Sequence, residues 1–177
     1  MRIDEIGPFP KLGKSVKFNF YDIFQSVESV DGKLKIRVRR DRPGESRLSG
    51  IYVWYHPDWG YFYVGIASKN NFTERWNKHI QKLLDQCSTA QQMKNWKSFA
   101  DKFKQAGFTI NDLKDITLRF FPIANRDDFP GQDKEWKKYL SDMESVIVRR
   151  INPACNKEYK ADRPTATKFP VAKQDIG

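Results

Sequence analysis

Two runs of β-branched and aromatic residues flank a short turn sequence in the middle of the chain. The first run is GIYVWY at residues 50–55, and the second is YFYVGI at residues 61–66. Between them, HPDWG at residues 56–60 contains proline, aspartate and glycine, which are typical of turns. This pattern predicts a β-hairpin.

Three further stretches place apolar residues at the spacing of an amphipathic helix, over about residues 71–86, 90–106 and 133–151. An asparagine at position 70 or 71 can cap the first helix, Gly107 ends the second, and Asn152–Pro153 ends the third. The apolar positions are Trp76, Ile80, Leu83 and Leu84 in the first helix, Met93, Trp96, Phe99, Ala100 and Phe103 in the second, and Trp136, Leu140, Met143, Ile147 and Ile151 in the third.

A last apolar run, DITLRFFPI at residues 115–123, predicts a third strand. Pro122 indicates that this strand lies at an edge of the sheet or that the residue lies at a strand end. The elements then follow in the order hairpin, helix, helix, strand, helix. We therefore predict an α/β (α+β) domain, with a small three-stranded, mainly antiparallel sheet flanked by helices.

The charge of the chain suggests what kind of molecule it binds. Lys and Arg number 32 against 22 Asp and Glu, which gives a formal net charge of +10. In a small domain such an excess indicates a polyanionic partner, most often nucleic acid, and the alternative is solubility alone.

Two further features of composition bear on location. No apolar stretch approaches the roughly 18 residues of a membrane-spanning helix, so no membrane partner is expected. The two cysteines, Cys87 and Cys155, exclude a disulfide scaffold and fit a cytoplasmic protein.

The positive charge is concentrated in residues 33–47, which contain seven basic and two acidic residues. Lys35, Arg37 and Arg39 alternate there with apolar residues, which predicts a half-buried strand that carries three cations on one face. Neighbouring side chains on such a face lie about 6.6 Å apart, close to the spacing of phosphates along a nucleic-acid strand. The alternative is an edge strand that its charges protect from aggregation.

The chain lacks the residues on which several classes of nuclease and nucleotide-binding protein depend. The chain has only two histidines, His56 and His79, and it has neither a Cys-x-x-Cys pair nor a P-loop. An Asp followed by Asp/Glu-x-Lys on adjacent strands is also disfavoured, since Asp58 falls in the predicted turn and Asp112-Leu113-Lys114 falls in a loop.

A different set of residues remains, and it spans most of the chain. Gly50-Ile51-Tyr52 and Tyr63-Val64-Gly65 lie on the predicted hairpin, Arg75 and His79 are four residues apart on the next helix, Glu144 lies on the last helix, and Asn156 follows Pro153. Over about residues 49–157 this arrangement resembles the GIY-YIG nuclease superfamily.

The resemblance implies a role for each of these residues. Tyr52 and Tyr63 would take part in activating the attacking water, and the sequence leaves open which is the general base. Arg75 would bind the scissile phosphate, and His79 would bond to a tyrosine hydroxyl or the phosphate and move protons. Glu144 would hold one divalent ion, Mg²⁺ or Mn²⁺, in each active site.

Two further residues have less direct roles. Asn156 resembles a structural support that holds a loop against the helix of Glu144. Lys69, in the loop before the helix of Arg75, is a candidate DNA contact or a solvated lysine. Lys35, Arg37 and Arg39 are candidates for contacts with the DNA backbone.

The resemblance therefore implies a divalent-metal-dependent DNA endonuclease, which resembles a restriction enzyme or a phage or mobile-element nuclease. We divide the chain into a basic N-terminal extension (1–49), a GIY-YIG-like catalytic domain (50–157, with a helical insert at about 90–106) and a C-terminal arm (158–177). The alternatives are an inactive DNA-binding module of the same fold and a structure-selective repair or phage nuclease. Homodimerisation on DNA stays open.

Overall fold

The computed structural model describes residues 9–31, 33–88, 110–131, 133–153 and 155–156. The helix predicted over about 90–106 and the arm at 158–177 lie outside these residues. Among the helices that are described, none combines the length and the apolar character needed to cross a membrane.

The described residues form six strands and three α-helices. The strands are β1 (Val16–Asn19), β2 (Phe24–Val30), β3 (Lys33–Val38), β4 (Gly50–His56), β5 (Gly60–Ala67) and β6 (Thr117–Pro122). The helices are α1 (Phe20–Ile23), α2 (Phe72–Ser88) and α3 (Glu135–Ile151). Short 3₁₀ helices cover Gly44–Arg47, Ile110–Asp115 and Arg126–Asp128.

The main sheet has four strands in the described part of the chain, in the order β1-β6-β4-β5, and all of its pairings are antiparallel. The predicted fold class and the β4–β5 hairpin are confirmed, but the predicted number of three strands is wrong. The added strand is β1, which pairs with β6 from Val16↔Phe120 to Asn19↔Thr117. Consequently β6 is an internal strand, and Pro122 is its last residue.

The sheet has a separate apolar core on each face. Because side chains alternate along β4, Tyr52 and Trp54 face one side, where they pack with Phe72 and Trp76 of α2. Ile51 and Val53 face the other side, against α3. The residues of α3 that are buried there are Trp136, Leu140, Ile147 and Val148.

The ends of the two long helices follow from local sequence signals. The backbone N–H of Glu74 donates to Oδ1 of Asn71 at 2.9 Å, so Asn71 caps the start of α2. At the C-terminal end of α3, Asn152 adopts the left-handed conformation with φ of 52° and ends the helix before Pro153.

Residues before the main hairpin also contribute to the fold. Phe18, Phe20, Ile23 and Phe24 are buried in the same core as Trp76. Strands β2 and β3 form a second, two-stranded antiparallel sheet, which we call the basic ribbon. The division at residue 49 stays a prediction, and the segment before it supplies one strand of the sheet and part of this core.

Candidate active site

The register of the β4–β5 hairpin brings two tyrosines onto one face of the sheet. Tyr52 lies opposite Gly65, and Trp54 lies opposite Tyr63. Side chains of alternate residues share a face, so Tyr52 and Tyr63 are diagonal neighbours with ring centroids 6.1 Å apart. The two tyrosines predicted as site residues are therefore brought together.

Two glycines of the hairpin are required by close approach. A Cβ on Gly65 would lie 2.5 Å from Oη of Tyr52, so the missing side chain makes room for that hydroxyl. A Cβ on Gly50 would overlap the backbone carbonyl of Phe121 in β6. Gly65 thus positions the candidate site, and Gly50 permits the pairing of two strands.

Helix α2 places His79 against the same hydroxyl. Oη of Tyr52 lies 2.7 Å from Nε2 of His79, and both residues are buried. His79 follows Trp76 by three residues, so both face the sheet. The expectation that His79 bonds to a tyrosine hydroxyl thus corresponds to a contact in the structure.

Burial keeps both tyrosine hydroxyls protonated. Burial, and then the neighbouring Tyr63, raise the pKa of Tyr52 well above its usual value, against the opposing effect of Arg75. Burial, and then the carboxylate of Glu144, raise the pKa of Tyr63 to about 12. Neither tyrosine is therefore a phenolate near neutral pH.

Arg75 is partly buried, and its charge interacts with those of the neighbouring Tyr52, Tyr63 and Glu144. Burial acts to lower the pKa of its guanidinium, but Tyr52, Tyr63 and Glu144 together raise that pKa above its usual value. The side chain therefore remains a cation in a partly desolvated position, where its field acts most strongly on a bound anion.

Glu144 reaches this cluster from α3. The helix packs mainly along β5, an edge strand of the sheet, and Glu144 is partly buried there. Its charge acts on Tyr63, Tyr52 and Arg75, so four elements, β4, β5, α2 and α3, contribute to one electrostatic cluster. We call Tyr52, Tyr63, Arg75, His79 and Glu144 the five-residue cluster.

The donor set of the five-residue cluster limits the kind of metal it can hold. In the described ranges, no group of three or more His, Cys, Asp and Glu residues has the geometry of a metal site. Glu144 is the cluster's single carboxylate. One carboxylate with water and substrate oxygens suits Mg²⁺, which retains several waters when bound, and does not suit zinc.

Asn156 lies against β5. Its Nδ2 donates to the carbonyl of Val64 at 2.7 Å, and its Oδ1 accepts from the N–H of Val64 at 2.8 Å. The N–H of Cys155 also donates to the carbonyl of Phe62 at 2.8 Å. Residues 155–156 thus pair with the outer edge of β5, and the amide holds the strand of Tyr63, not α3 as we expected.

The candidate DNA contacts lie on other elements. Lys35 and Arg37 are exposed on β3, while Arg39 follows the end of that strand. Arg37 pairs with Glu28 at 3.4 Å and Arg39 with Asp41 at 2.7 Å. Lys69 is exposed in the loop between β5 and α2.

Sequence reasoning did not single out two residues that shape the five-residue cluster. Trp54 contacts both Tyr63 and His79, with ring centroids 5.5 and 5.8 Å away. Gly65 gives room to Tyr52, as described above. The alternation of β4 placed Trp54 on the tyrosine face, but only the strand register shows that Gly65 lies opposite Tyr52.

Comparison with known proteins adds one finding. Residues 48–115 match the model of the GIY-YIG catalytic domain, a range that includes Tyr52, Tyr63, Arg75 and His79. Glu144 and Asn156 lie outside the matched range. No curated protein and no solved structure matches the chain. The match, together with the antiparallel sheet and its flanking helices, shows that the chain carries a GIY-YIG catalytic domain, the domain of the GIY-YIG nuclease superfamily.

Proposed function

We propose that this protein is a divalent-metal-dependent endonuclease that hydrolyses phosphodiester bonds in DNA. The observation that carries the proposal is the hydrogen bond between Tyr52 and His79 inside a cluster that also contains Tyr63, a cationic Arg75 and Glu144. The GIY-YIG catalytic domain indicates a nuclease in general. The cluster supplies the groups that such a reaction needs.

Arg75 is proposed to bind the scissile phosphate. Its planar guanidinium can donate two parallel hydrogen bonds to phosphate oxygens, and lysine cannot reproduce that geometry. Charge grows on those oxygens as the phosphodiester bond is attacked. A cation held in place beforehand stabilises this charge without reorganisation of solvent.

The two tyrosines are proposed to have different roles, because their exposure differs. Tyr52 is 0% exposed, and its hydroxyl is already bonded to His79. Tyr63 is partly exposed, and its ring centroid lies 6.1 Å from that of Tyr52. We infer that Tyr63 contacts the attacking water, and that Tyr52 positions Tyr63, Arg75 and His79 relative to one another.

The raised pKa of Tyr63 bears on whether this residue can remove a proton from the attacking water. At neutral pH the hydroxyl of Tyr63 is protonated, so it orients the water and does not by itself remove its proton. Glu144 is proposed to hold the divalent ion, Mg²⁺ or Mn²⁺. When bound, such an ion supplies positive charge that lowers the pKa of neighbouring groups and stabilises phosphate oxygens.

We further propose that the endonuclease is restriction-like and acts on DNA in the cytoplasm. The basic ribbon and the residue that follows it support binding to DNA, since Lys35 and Arg39 provide cations for the DNA backbone beyond the cluster, with Lys69 in the loop before α2. A homodimer on a palindromic site would fit such an enzyme.

A plasmid-nicking assay with Mg²⁺ tests the proposal. Wild type should nick supercoiled DNA, and EDTA should abolish nicking. Glu144→Ala and Arg75→Ala should each lower the rate by about 100-fold or more, as expected when a group that stabilises transition-state charge is lost. Glu135→Ala and Lys78→Ala are the matched controls, since both residues are exposed and lie on the same helices.

The outcomes separate the alternatives. A wild-type protein that binds DNA and leaves it intact with every divalent ion would be a DNA-binding module, and the proposal would be wrong. Mapping the cut ends on a phage genome distinguishes the enzyme classes. Cuts at a fixed sequence support the restriction-like assignment, whereas cuts confined to branched substrates support a structure-selective nuclease.

A further inference from the structure

The outward face of the basic ribbon carries a carboxylate among its cations. In the register of β2 and β3, Ser26 lies opposite Arg37 and Glu28 lies opposite Lys35. These four side chains share one face. On the other face, Val27 and Ile36 are opposite each other and pack against the core, so the ribbon is fixed to the body of the protein.

Hydrogen bonds hold this carboxylate in place. Oγ of Ser26 donates to Oε1 of Glu28 at 2.8 Å, and Nη2 of Arg37 donates to Oε2 at 3.4 Å. The side chains of Glu28 and Arg37 are nevertheless 43% and 61% exposed. The face thus presents an oriented acceptor beside an oriented donor, and both remain accessible.

A surface that binds only the phosphate backbone gains no affinity from Glu28. A carboxylate repels phosphates, and here it also neutralises part of the charge of Arg37. Base edges differ, because they present donors as well as acceptors. In the major groove, cytosine offers its N4 amino group to a carboxylate, and guanine offers O6 and N7 to an arginine.

The dimensions of the ribbon fit the same groove. The major groove of B-form DNA is about 12 Å wide and accepts a two-stranded β-ribbon. An open surface groove of about 650 Å³ continues from this face, lined by residues that include Gln25, Arg37, Arg39 and Arg40. Asp41 also lines this groove and pairs with Arg39 at 2.7 Å, so the exposed Arg40 is the cation placed to contact phosphates that flank the bases.

We propose that the basic ribbon enters the major groove of DNA and that Glu28 and Arg37 together recognise one C·G base pair. The proposal rests on the DNA-binding function proposed above and names its specificity element. Lys35 has the complementary role of a contact with the phosphate backbone, since it lies on the same face and is exposed.

Selection of duplexes from a randomised pool tests this inference. The full chain is used with Ca²⁺ in place of Mg²⁺, so that bound DNA is recovered uncut. Wild type should select a site with one fixed C·G pair, and Glu28→Gln should enforce that pair less strictly. The affinity ratio between the selected site and the same site with that pair changed should fall by about 2- to 10-fold, as expected when one hydrogen bond to a base edge is lost while Arg37 still contacts guanine.

Two other variants identify the role of charge. Lys35→Ala should weaken binding to all sequences alike and lower the slope of log K against log salt by about one unit. Lys17→Ala removes an exposed lysine from β1, outside the ribbon, and is the control for net charge. Thermal melts show that each variant folds.

Two results would overturn the inference. One is that Glu28→Gln tightens binding to every duplex and leaves the selected sequence unchanged, since Glu28 would then only moderate the charge of a phosphate-binding surface. The other is that wild type selects no C·G pair. If a C·G pair is selected but DNA is never cut, the inference stands and the proposed nuclease activity fails.

Discussion

The hydroxyl of Tyr52 lies 2.7 Å from Nε2 of His79, and this bond joins β4 to α2 inside the core. Since burial raises the pKa of Tyr52, the hydroxyl keeps its proton and can donate it to Nε2. The positive charge of Arg75 acts on the same hydroxyl and opposes this rise of its pKa. A neutral imidazole that accepts from Tyr52 at Nε2 carries its proton on Nδ1, whereas the other tautomer donates from Nε2 to the hydroxyl oxygen.

We predict that Tyr52→Phe lowers both activity and stability. The ring remains and the core stays filled, but Nε2 of His79 loses its partner. An unsatisfied buried group costs about 1–3 kcal/mol in the free energy of unfolding. Urea unfolding should show this loss, plasmid nicking should fall by at least about 10-fold, and ¹⁵N NMR should show a changed tautomer balance of His79.

Tyr55→Phe is the control for this variant, because Tyr55 lies on the same strand and is partly exposed. It should behave as wild type in all three measurements. Unchanged nicking by Tyr52→Phe, with stability and tautomer also unchanged, would show that the Tyr52–His79 bond has no role in the site.

Substitution of single glycines by alanine should distinguish effects on the candidate active site from effects on the stability of the fold. Gly65→Ala forces a methyl group against Oη of Tyr52, so nicking should fall by about 10-fold or more while the protein still folds. Gly50→Ala meets the carbonyl of Phe121, which belongs to a neighbouring strand and cannot rotate away. That variant should lose stability by more than about 2 kcal/mol.

Gly44→Ala is the matched control, because a Cβ there has no atom within 4 Å. Circular dichroism melts and nicking rates of the three variants are compared side by side. Equal losses of melting temperature in Gly65→Ala and Gly50→Ala would contradict the separation, since both glycines would then serve the fold alone.

The periodic signals that the sequence carries account for most of the fold. Helix α3 was predicted over 133–151 and runs over Glu135–Ile151, because its apolar stripe and its Asn152–Pro153 stop are both local. Strand β1 was missed, since Val16–Asn19 is too short for its alternation to stand out. Its pairing with β6 joins residues about 100 positions apart, and no local pattern records such a contact.

The five-residue cluster was predicted by resemblance and not by periodicity. Four elements that only the tertiary fold brings together contribute these residues, which are Tyr52, Tyr63, Arg75, His79 and Glu144. The side-chain contacts within the basic ribbon were harder to predict from the sequence. Nothing in the alternation of residues 33–39 indicated that Glu28 would lie beside Arg37, because that contact depends on a strand register with an irregularity after Phe24.

Asn156 should stabilise the edge of β5. Asn156→Ala removes two hydrogen bonds to the backbone of Val64, which we expect to lower the free energy of unfolding by about 1–3 kcal/mol. Amide hydrogen exchange at Val64 should accelerate, since its N–H loses its acceptor. Nicking should fall less than in Arg75→Ala, because Asn156 acts through the strand of Tyr63.

Two further variants complete this test. Asn156→Asp retains an acceptor for the N–H of Val64 but cannot donate to its carbonyl. Its free energy of unfolding should therefore be lower than that of wild type. Asn125→Ala is the control, since Asn125 is exposed and its side chain makes no capping bond. Unchanged exchange at Val64 in Asn156→Ala would show that the amide does not hold the strand.

Stability should fall at alkaline pH through Tyr63. Its pKa is about 12 in the folded protein and near 10 in the unfolded chain, so below pH 10 both states hold the proton and this group adds no pH dependence. Between pH 10 and 12 the unfolded chain loses the proton first. The unfolded state then binds fewer protons than the folded state, and the free energy of unfolding decreases as pH rises.

Over that window the loss due to Tyr63 should be on the order of 2 kcal/mol. Urea unfolding followed by tryptophan fluorescence at pH 9, 10 and 11 measures it. Tyr63→Phe has no hydroxyl to ionise, so its stability should decline less steeply above pH 10 than that of wild type. Tyr21→Phe, at a tyrosine that is 56% exposed, should keep the wild-type slope. Equal slopes for wild type and Tyr63→Phe would show that burial does not hold the Tyr63 hydroxyl in its protonated form.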